Sequence, residues 1–210
     1  MAVVVAPHPD DETLAVGGTL ATWSAAGTRI VVVAVTDGEG SHPGRPGLAD
    51  RRAGEQRRAL TALGIEADPI RLGLPDTGVP DHRRALTDAL VDITDAGPSG
   101  AVMVAPWERD AHCDHDATGQ AAAEAARRVG VALLAYPGWA WQWAVPADFA
   151  GVALLRHRLG DDAQRRKATA VAAFSTQTTS WEGAAPILSE QFLERFRRRD
   201  EVLIEAGEHA

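Results

Sequence analysis

Cysteine is almost absent from this chain, which has one, Cys113, among its 210 residues. A single cysteine cannot form a disulfide within the chain, so a disulfide-held scaffold is excluded and a reducing compartment is the simpler expectation. The sequence also lacks an apolar run of membrane-spanning length, and its start shows neither the basic segment nor the cleavage site of a signal peptide. We therefore expect a cytoplasmic protein that does not insert into membranes.

Excess positive charge is missing as well, because 29 acidic residues outnumber 21 lysines and arginines and give a formal net charge of −8. Broad binding to a nucleic-acid backbone needs clustered positive charge, so nucleic acid is not an expected partner. With 45% hydrophobic residues, the composition is typical of a globular protein. The length suits one α/β domain over residues 1–210, and the sequence does not predict an oligomeric state.

Short apolar segments alternate with longer amphipathic ones over the first two thirds of the chain. The short segments are apolar on both faces, which predicts buried strands of a parallel sheet covered by helices. Glycines at positions 64 and 130 end two amphipathic segments where helix C-caps are expected. The alternation predicts a doubly wound α/β fold that binds ligands at the carboxyl ends of its strands. The predicted strands cover residues 3–6, 29–35, 69–72, 101–105 and 131–135, and the predicted helices cover residues 14–26, 48–63, 83–96 and 116–129.

The pattern becomes irregular and aromatic in the sequence YPGWAWQWAVPADFAG, which follows the fifth predicted strand. Trp139, Trp141 and Trp143 alternate there, which predicts a strand with one aromatic face. Core packing is the expected role of that face, and a tryptophan at the rim of a substrate pocket is the minority hypothesis. A C-terminal α/β extension is expected to follow, with a strand over residues 152–155 and helices over residues 161–174 and 186–206.

A histidine and three consecutive acids follow the first predicted strand, in the sequence HPDDE. They are His8, Asp10, Asp11 and Glu12. Adjacent carboxylates repel one another, so such a cluster usually needs a cation or a catalytic role. Capping of the next helix by Asp10 or Asp11 is the alternative, although it explains only one of the acids. This cluster alone leaves metal binding and helix capping equally open.

A second group of polar residues follows the fourth predicted strand, again at a carboxyl end. His112 and His115 stand three positions apart, with Asp114 between them. Two histidines and one carboxylate would leave one coordination position open for water, which is typical of catalytic rather than structural zinc. Cys113 is a weaker ligand candidate, and we expect it to be a small buried residue that points away from the site.

The two motifs together, PHPDDE and HCDH, resemble the PIG-L/LmbE-like family of zinc-dependent N-deacetylases. Four other segments are similar to that family in order and spacing: TDGEGS, RAGEQRRALTALGI, LGLPDTG and KATAVAAFSTQ. Cys113 departs from the family, which commonly has proline there, and WAWQWA looks like a subgroup feature. The resemblance implies a single-domain Rossmann-like (LmbE-like) fold. It also implies hydrolysis of an N-acyl, typically N-acetyl, group from an amino sugar of the N-acetylglucosamine type or a small glycoconjugate.

The resemblance further implies a metal site with its ligands. His8, Asp11 and His115 match the metal ligands of the family, with Zn²⁺ as the expected ion and Fe²⁺ as the alternative. Asp10 matches the general base that deprotonates the metal-bound water. Such chemistry suits amide hydrolysis, because a bound metal lowers the pKa of its water to about 7 and a nearby carboxylate can take the proton.

Two further catalytic roles come from the same resemblance. His112 matches the histidine that stabilises the oxyanion and assists the leaving amine, and Asp114 matches the acid that orients His112. A histidine on the far side of the carbonyl can stabilise the tetrahedral oxyanion whether it is neutral or protonated.

Two other functions stay open at this point. One is an amidase that cleaves a different small amide, such as a thiol conjugate, with the same residues. The other is a non-catalytic, metal-containing Rossmann-like module that binds a sugar or a nucleotide. The adjacent Gly17 and Gly18 do not favour phosphate binding, because the chain lacks both G-x-G-x-x-G and a Walker lysine, and close packing explains the pair better. Five further side chains could contact substrate or serve the structure equally well: Glu39, Arg52, Asp76, Ser175 and Gln177.

Overall fold

Strands and helices alternate through the first two thirds of the chain in the computed structural model, which describes residues 1–205. The five predicted strands and four predicted helices of this part are confirmed, although two helices begin earlier than expected, inside the two motifs. The strands are β1 (Ala2–Ala6), β2 (Ile30–Thr36), β3 (Ile70–Leu74), β4 (Val102–Pro106) and β5 (Ala132–Tyr136), and the helices are α1 (Asp11–Ala25), α2 (Leu48–Leu63), α3 (Arg83–Asp95) and α4 (Cys113–Val129).

The last third of the chain differs from the sequence prediction in two places. A short helix replaces the strand predicted through the tryptophans. A helix followed by a strand replaces the single helix predicted over residues 186–206. Residue 206 itself lies outside the described residues. The final strand pairs antiparallel with strands on both sides, and this pairing fixes its extended backbone. The elements are α5 (Ala140–Trp143), β6 (Ala153–Arg158), α6 (Asp161–Val171), α7 (Ser175–Thr178), α8 (Glu190–Phe196) and β7 (Asp200–Glu205).

All seven strands belong to one sheet, in the order β3-β2-β1-β4-β5-β7-β6. Neighbouring strands in the part of the sheet that runs β3-β2-β1-β4-β5 are parallel. At the other edge, β7 pairs antiparallel with both β5 and β6. This confirms the predicted α/β fold, its mostly parallel sheet and its C-terminal α/β extension. The expectation of a buried strand is wrong for β3, because β3 lies at the sheet edge and most of its residues are partly or fully exposed.

Apolar layers cover both faces of the sheet. Val4 of β1 packs in one layer with Leu20 and Leu63, whereas Val3 enters the opposite layer with Leu90. This alternation follows from the two-residue period of a strand, and it leaves β1 wholly buried at the centre of the sheet. No helix within residues 1–205 combines the length and the apolar character that crossing a membrane requires.

Close approach explains at least one member of the glycine pair in α1. A Cβ atom at Gly18 would lie 2.3 Å from Cδ1 of Leu159, far inside van der Waals contact, so a larger residue there would displace the Leu159 side chain. The adjacent backbone N–H groups of Gly18 and Thr19 donate to the buried carboxylate of Glu201 on β7. The structure thus supports close contact, rather than phosphate binding, as the reason for this glycine.

Candidate active site

Both sequence motifs lie at the carboxyl ends of adjacent parallel strands. The PHPDDE motif occupies the turn after β1 and the first turn of α1, and the HCDH motif follows β4 and opens α4. Because β1 and β4 pair in register, their carboxyl ends lie side by side. His8 and Asp114, 106 positions apart in sequence, consequently approach within 3.1 Å, from Nε2 to Oδ2.

The predicted metal ligands form one buried group. His8 Nδ1 and His115 Nε2 each lie 3.2 Å from the same oxygen, Oδ2 of Asp11. One ligand atom from each of these three residues lies within 4.8 Å of the other two. Among residues 1–205, both ring nitrogens of His115 are buried and lack a well-aligned hydrogen bond, although each has a carboxylate oxygen within 3.2 Å. A buried polar atom needs a partner, and two imidazoles with one carboxylate suit a zinc-class ion, so the group fits a divalent cation.

His8 also belongs to a second possible ligand group, with His112 and Asp114. The ring centroid of His112 lies 5.0 Å from that of His8 and 5.0 Å from that of His115, so three imidazoles surround one small region. His112 is half-buried, whereas His115 is fully buried. The structure therefore brings together all the residues that the resemblance assigns to the site, while its distances alone allow either group of three as ligands.

The carboxylates give this region a negative potential. Burial alone would lower the pKa of the His115 imidazole, but the nearby carboxylates of Asp11 and Asp110 outweigh it and raise the pKa to about 9. Burial likewise opposes charge on His8, yet contacts with neighbouring carboxylates raise its pKa well above the ordinary value. Such a potential attracts a cation, and a bound metal ion would compete with the proton for both imidazoles.

Asp10 lies beside the predicted metal ligands but does not act as a helix cap. It occupies the N-cap position of α1, and its side chain makes no capping hydrogen bond, so capping does not account for this acid. Its Oδ1 lies 3.2 Å from Nη2 of the buried Arg52. Burial raises the pKa of Asp10 to about 6, against the opposing effect of Arg52 and with a further contribution from Asp11.

Asp110 is a site residue that the sequence analysis did not identify. Its Oδ2 lies 2.8 Å from Nδ1 of His115, on the side of the ring away from Asp11. The same buried carboxylate accepts hydrogen bonds from the backbone N–H groups of residues 138–140. A carboxylate behind an imidazole fixes its orientation and tautomer, as at many metal-ligating histidines. The only sequence signal for Asp110 is an acid shortly before the HCDH motif.

The Asp114 carboxylate contacts His8 rather than His112. It also accepts hydrogen bonds from the backbone N–H groups of Thr77 and Val79, at 2.8 Å and 3.2 Å. The ring of His112 is held differently, because its Nδ1 accepts the backbone N–H of Asp114 at 3.3 Å. Within the part of the chain that the structure describes, the side-chain contact implied for Asp114 and His112 is not formed. The orienting role of Asp114 therefore stays a prediction.

Cys113 is exposed, so the expectation of a small buried residue is wrong. It is the first residue of α4, and successive helical residues point about 100° apart. The helix turns Asp114 and His115 towards the sheet, which leaves Cys113 on the outer side.

A cavity of about 160 Å³ opens beside these side chains. Three of the five weaker sequence candidates line it: Arg52, Asp76 and Gln177. Glu39 instead accepts the backbone N–H of Asp76 at 3.2 Å, and the hydroxyl of Ser175 donates to the carboxylate of Glu55 at 2.7 Å.

The three tryptophans do not share one face, because α5 is a helix whose start is held by Asp110. Trp139 lines the cavity, Trp141 packs partly buried against the apolar cluster beneath it, and Trp143 is 44% exposed.

Fold and site together define a Rossmann-like α/β protein with a group of histidines and carboxylates at the carboxyl edge of its sheet that fits a divalent cation. Residues 3–126, more than half of the chain, match the family described as "PIG-L: GlcNAc-PI de-N-acetylase". The chain belongs to this PIG-L family, as its two motifs had indicated.

Similar proteins carry deacetylase names. A probable N-acetyl-alpha-D-glucosaminyl L-malate deacetylase 2 of Bacillus anthracis is 34% identical over 134 residues, which cover 59% of this chain and 58% of that protein. Diacetylchitobiose deacetylase of Thermococcus kodakarensis is 30% identical over 133 residues, covering 60% and 49%. The chain thus spans about half the length of the curated relatives it matches.

Solved structures share the fold over nearly the whole chain. The conserved protein TT1542 from Thermus thermophilus aligns with a TM-score of 0.73 at 26% identity, covering 98% of this chain and 94% of that one. Dbv21, described as an A40926 pseudoaglycone deacetylase, aligns with the same TM-score at 21% identity, covering 97% and 96%. At that identity, the likeness to Dbv21 shows the fold alone.

Proposed function

We propose that this chain is a metal-dependent N-deacetylase that removes an acyl group, typically acetyl, from an amino sugar or a small glycoconjugate. The observation that carries the proposal is the buried group of His8, Asp11 and His115 with the Asp10 carboxylate beside it, of which His8, Asp10 and Asp11 line the cavity. The family membership and the deacetylase names of the relatives support the same activity. We further propose that residues 1–210 form one domain.

The proposed ligands are His8, Asp11 and His115, with Zn²⁺ as the ion and Fe²⁺ as the alternative. When bound, such an ion supplies Lewis-acid chemistry, since it polarises an amide carbonyl and lowers the pKa of water. Burial of all three residues, with His8 Nδ1 and His115 Nε2 both facing one oxygen of Asp11, supports this set over the group that contains the half-buried His112. The carboxylate of Asp110 would hold the His115 ring in place from behind.

Asp10 is the proposed general base. Its carboxylate lines the cavity beside the ligands, where it would take a proton from the attacking water and deliver it to the departing nitrogen. The buried guanidinium of Arg52 contacts Oδ1 of Asp10 and also donates to the backbone carbonyl of Gly38, so two contacts hold Arg52 in place. Arg52 would therefore fix the orientation of Asp10 during both proton transfers.

His112 is the proposed donor to the oxyanion. Because its Nδ1 accepts the backbone N–H of Asp114, the proton of the neutral ring is assigned to Nε2. Burial lowers the pKa of this imidazole, and the neighbouring histidines lower it further, which favours the neutral form. A neutral ring with its N–H at Nε2 can donate to a developing oxyanion from the cavity wall.

The direct test is acetate release by the purified chain from N-acetylglucosamine-type amides, before and after treatment with a chelator. We expect release that the chelator abolishes and that Zn²⁺ or Fe²⁺ restores. If the chain hydrolyses only thiol-conjugate amides, its function is that of the alternative amidase and not of a deacetylase. Sugar binding without cleavage of any amide tested would instead favour a non-catalytic binding module.

A further inference from the structure

The cavity beside the proposed metal ligands has two chemically different ends. Charged and polar side chains from the two motifs line one end, together with Arg52 and Asp76. Aliphatic and phenyl side chains with one indole ring line the other end, and a surface with so few hydrogen-bonding groups favours an apolar group over a sugar hydroxyl. The residues of this apolar wall are Leu14, Trp139, Ile187, Leu188, Phe192 and Phe196.

A row of aromatic rings connects the apolar wall to the proposed reaction centre. Trp139 stacks on His112, with ring centroids 5.8 Å apart and an angle of 20° between the ring planes. Phe192 stacks on Trp139 at 5.4 Å and 27°, and Phe196 meets Phe192 edge to face at 5.0 Å. An apolar group attached to the substrate near its amide would therefore find a continuous aromatic surface that starts at His112.

The far part of the wall is held in place by the C-terminal segment. Phe192 and Phe196 lie four positions apart on α8, so both face the same side. The helix start is fixed by Ser189, whose hydroxyl accepts the backbone N–H of Phe192 at 3.2 Å. Just before it, the backbone N–H of Leu188 donates to the carbonyl of Gln177 at 2.9 Å, which attaches the wall to another cavity-lining residue.

Ile187 is the member of this wall that lies outside the apolar core clusters. It lines the cavity and remains 40% exposed, so its side chain is accessible to a bound molecule. Replacing an exposed side chain away from the core usually changes stability little, so Ile187 can be varied without disturbing the core. Leu193 shows the opposite combination, because it is buried in the apolar cluster under the wall and does not line the cavity.

We propose that the apolar wall is a subsite for an apolar substituent of the substrate. Two chemical sources fit: an acyl chain longer than acetyl on the amide nitrogen, or an apolar aglycone on the sugar. This inference rests on the proposed deacylase function and narrows its substrate class. Each methylene that the wall covers is expected to raise kcat/KM about two- to fourfold, until the surface is filled.

Two substrate series separate the two sources. In one, glucosamine carries N-acetyl, N-butyryl, N-hexanoyl or N-octanoyl groups, and in the other, N-acetylglucosamine carries methyl to octyl aglycones. We expect kcat/KM to rise with chain length in one series, which identifies the source. Two flat or falling series, with the acetyl substrates still hydrolysed, would overturn the subsite and leave the deacetylase standing. Failure to cleave any member would overturn the deacetylase, and the subsite with it.

Variants at the mouth of the cavity test the wall itself. The measured quantity is a ratio: kcat/KM for the longest substrate of the series that responds to chain length, divided by kcat/KM for the shortest substrate of that series. Ile187→Ser should lower this ratio about fivefold or more. Leu154→Ser is the matched control, because Leu154 is 51% exposed on β6 and does not line the cavity, so the ratio should stay at the wild-type value. Leu193→Ala should lower the melting temperature without changing the ratio. Equal ratios for wild type and Ile187→Ser would overturn the proposal.

Discussion

Oδ2 of Asp110 lies 2.8 Å from Nδ1 of His115, while Nε2 of the same ring faces Asp11 at 3.2 Å. The Asp110 carboxylate also accepts the backbone N–H groups of residues 138–140, which begin α5. One buried side chain therefore positions a proposed metal ligand and the segment that carries Trp139. The proposed metal site and the aromatic wall of the cavity share this support.

Asp110→Asn should weaken metal binding about ten- to a hundredfold, because the amide keeps the shape of the carboxylate but loses the charge that holds the His115 ring. Zinc affinity, measured by titration against a competing chelator, checks this. Asp148→Asn is the matched control, since that carboxylate also accepts a backbone N–H group, from Val145, but belongs to a different turn. Equal zinc affinities for the two variants would show that Asp110 does not support the metal site.

His115→Ala should remove most of the bound metal, whereas His112→Ala should retain it and lose activity. The physical reason is that His115 belongs to the fully buried ligand group, while His112 offers a hydrogen bond to the oxyanion. Elemental analysis of the purified variants, with about one ion per chain expected for wild type, gives the result. The reverse pattern would assign the metal to His8, His112 and Asp114 instead.

Asp10→Asn should keep the metal and lower kcat about a hundred- to ten-thousandfold, since the amide cannot accept the proton of the attacking water. Parallel measurement of metal content and kcat separates this effect from loss of the ion. Asp88→Asn, which changes an exposed acid paired with Arg128, serves as the control and should leave both quantities unchanged. A variant at Asp10 that lost its metal, or kept full kcat, would contradict the role of general base.

A buried ion pair joins α6 to β7, and its removal should destabilise the fold. Nζ of Lys167 lies 2.6 Å from Oε1 of Glu201, and both side chains are almost fully buried. Lys167→Met would leave the Glu201 charge buried without its partner, which costs about 3–5 kcal/mol in the free energy of unfolding.

The adjacent Arg166 supplies a control for that measurement. Arg166 forms an exposed ion pair with Asp162 on the same helix, and Arg166→Met should cost about 1 kcal/mol or less. Urea unfolding of the two variants measures both losses. Similar losses would mean that the buried pair contributes no more than a surface one.

Much of the fold follows from local sequence patterns. The bounds of α2, residues 48–63, agree with the sequence prediction, because Gly64 adopts the left-handed conformation that ends the helix, with a φ angle of 85°. Residues 200–205 were predicted as the end of a helix and form β7 instead. Their extended backbone depends on hydrogen bonds to β5 and β6, strands that end well before β7 in the sequence. A local sequence pattern carries no information about such distant pairing partners.

The sequence by itself predicted which residues form the candidate site, because both motifs follow predicted strands of a parallel sheet, whose carboxyl ends share one edge. Only the tertiary structure decided which carboxylate holds which imidazole. Asp110 supports His115, and Asp114 contacts His8, although both acids flank His112 in the sequence. Helix α4 turns each successive side chain by about 100°, and the sheet sets which distant groups it meets. Those contacts depend on three-dimensional distances that residue spacing does not contain.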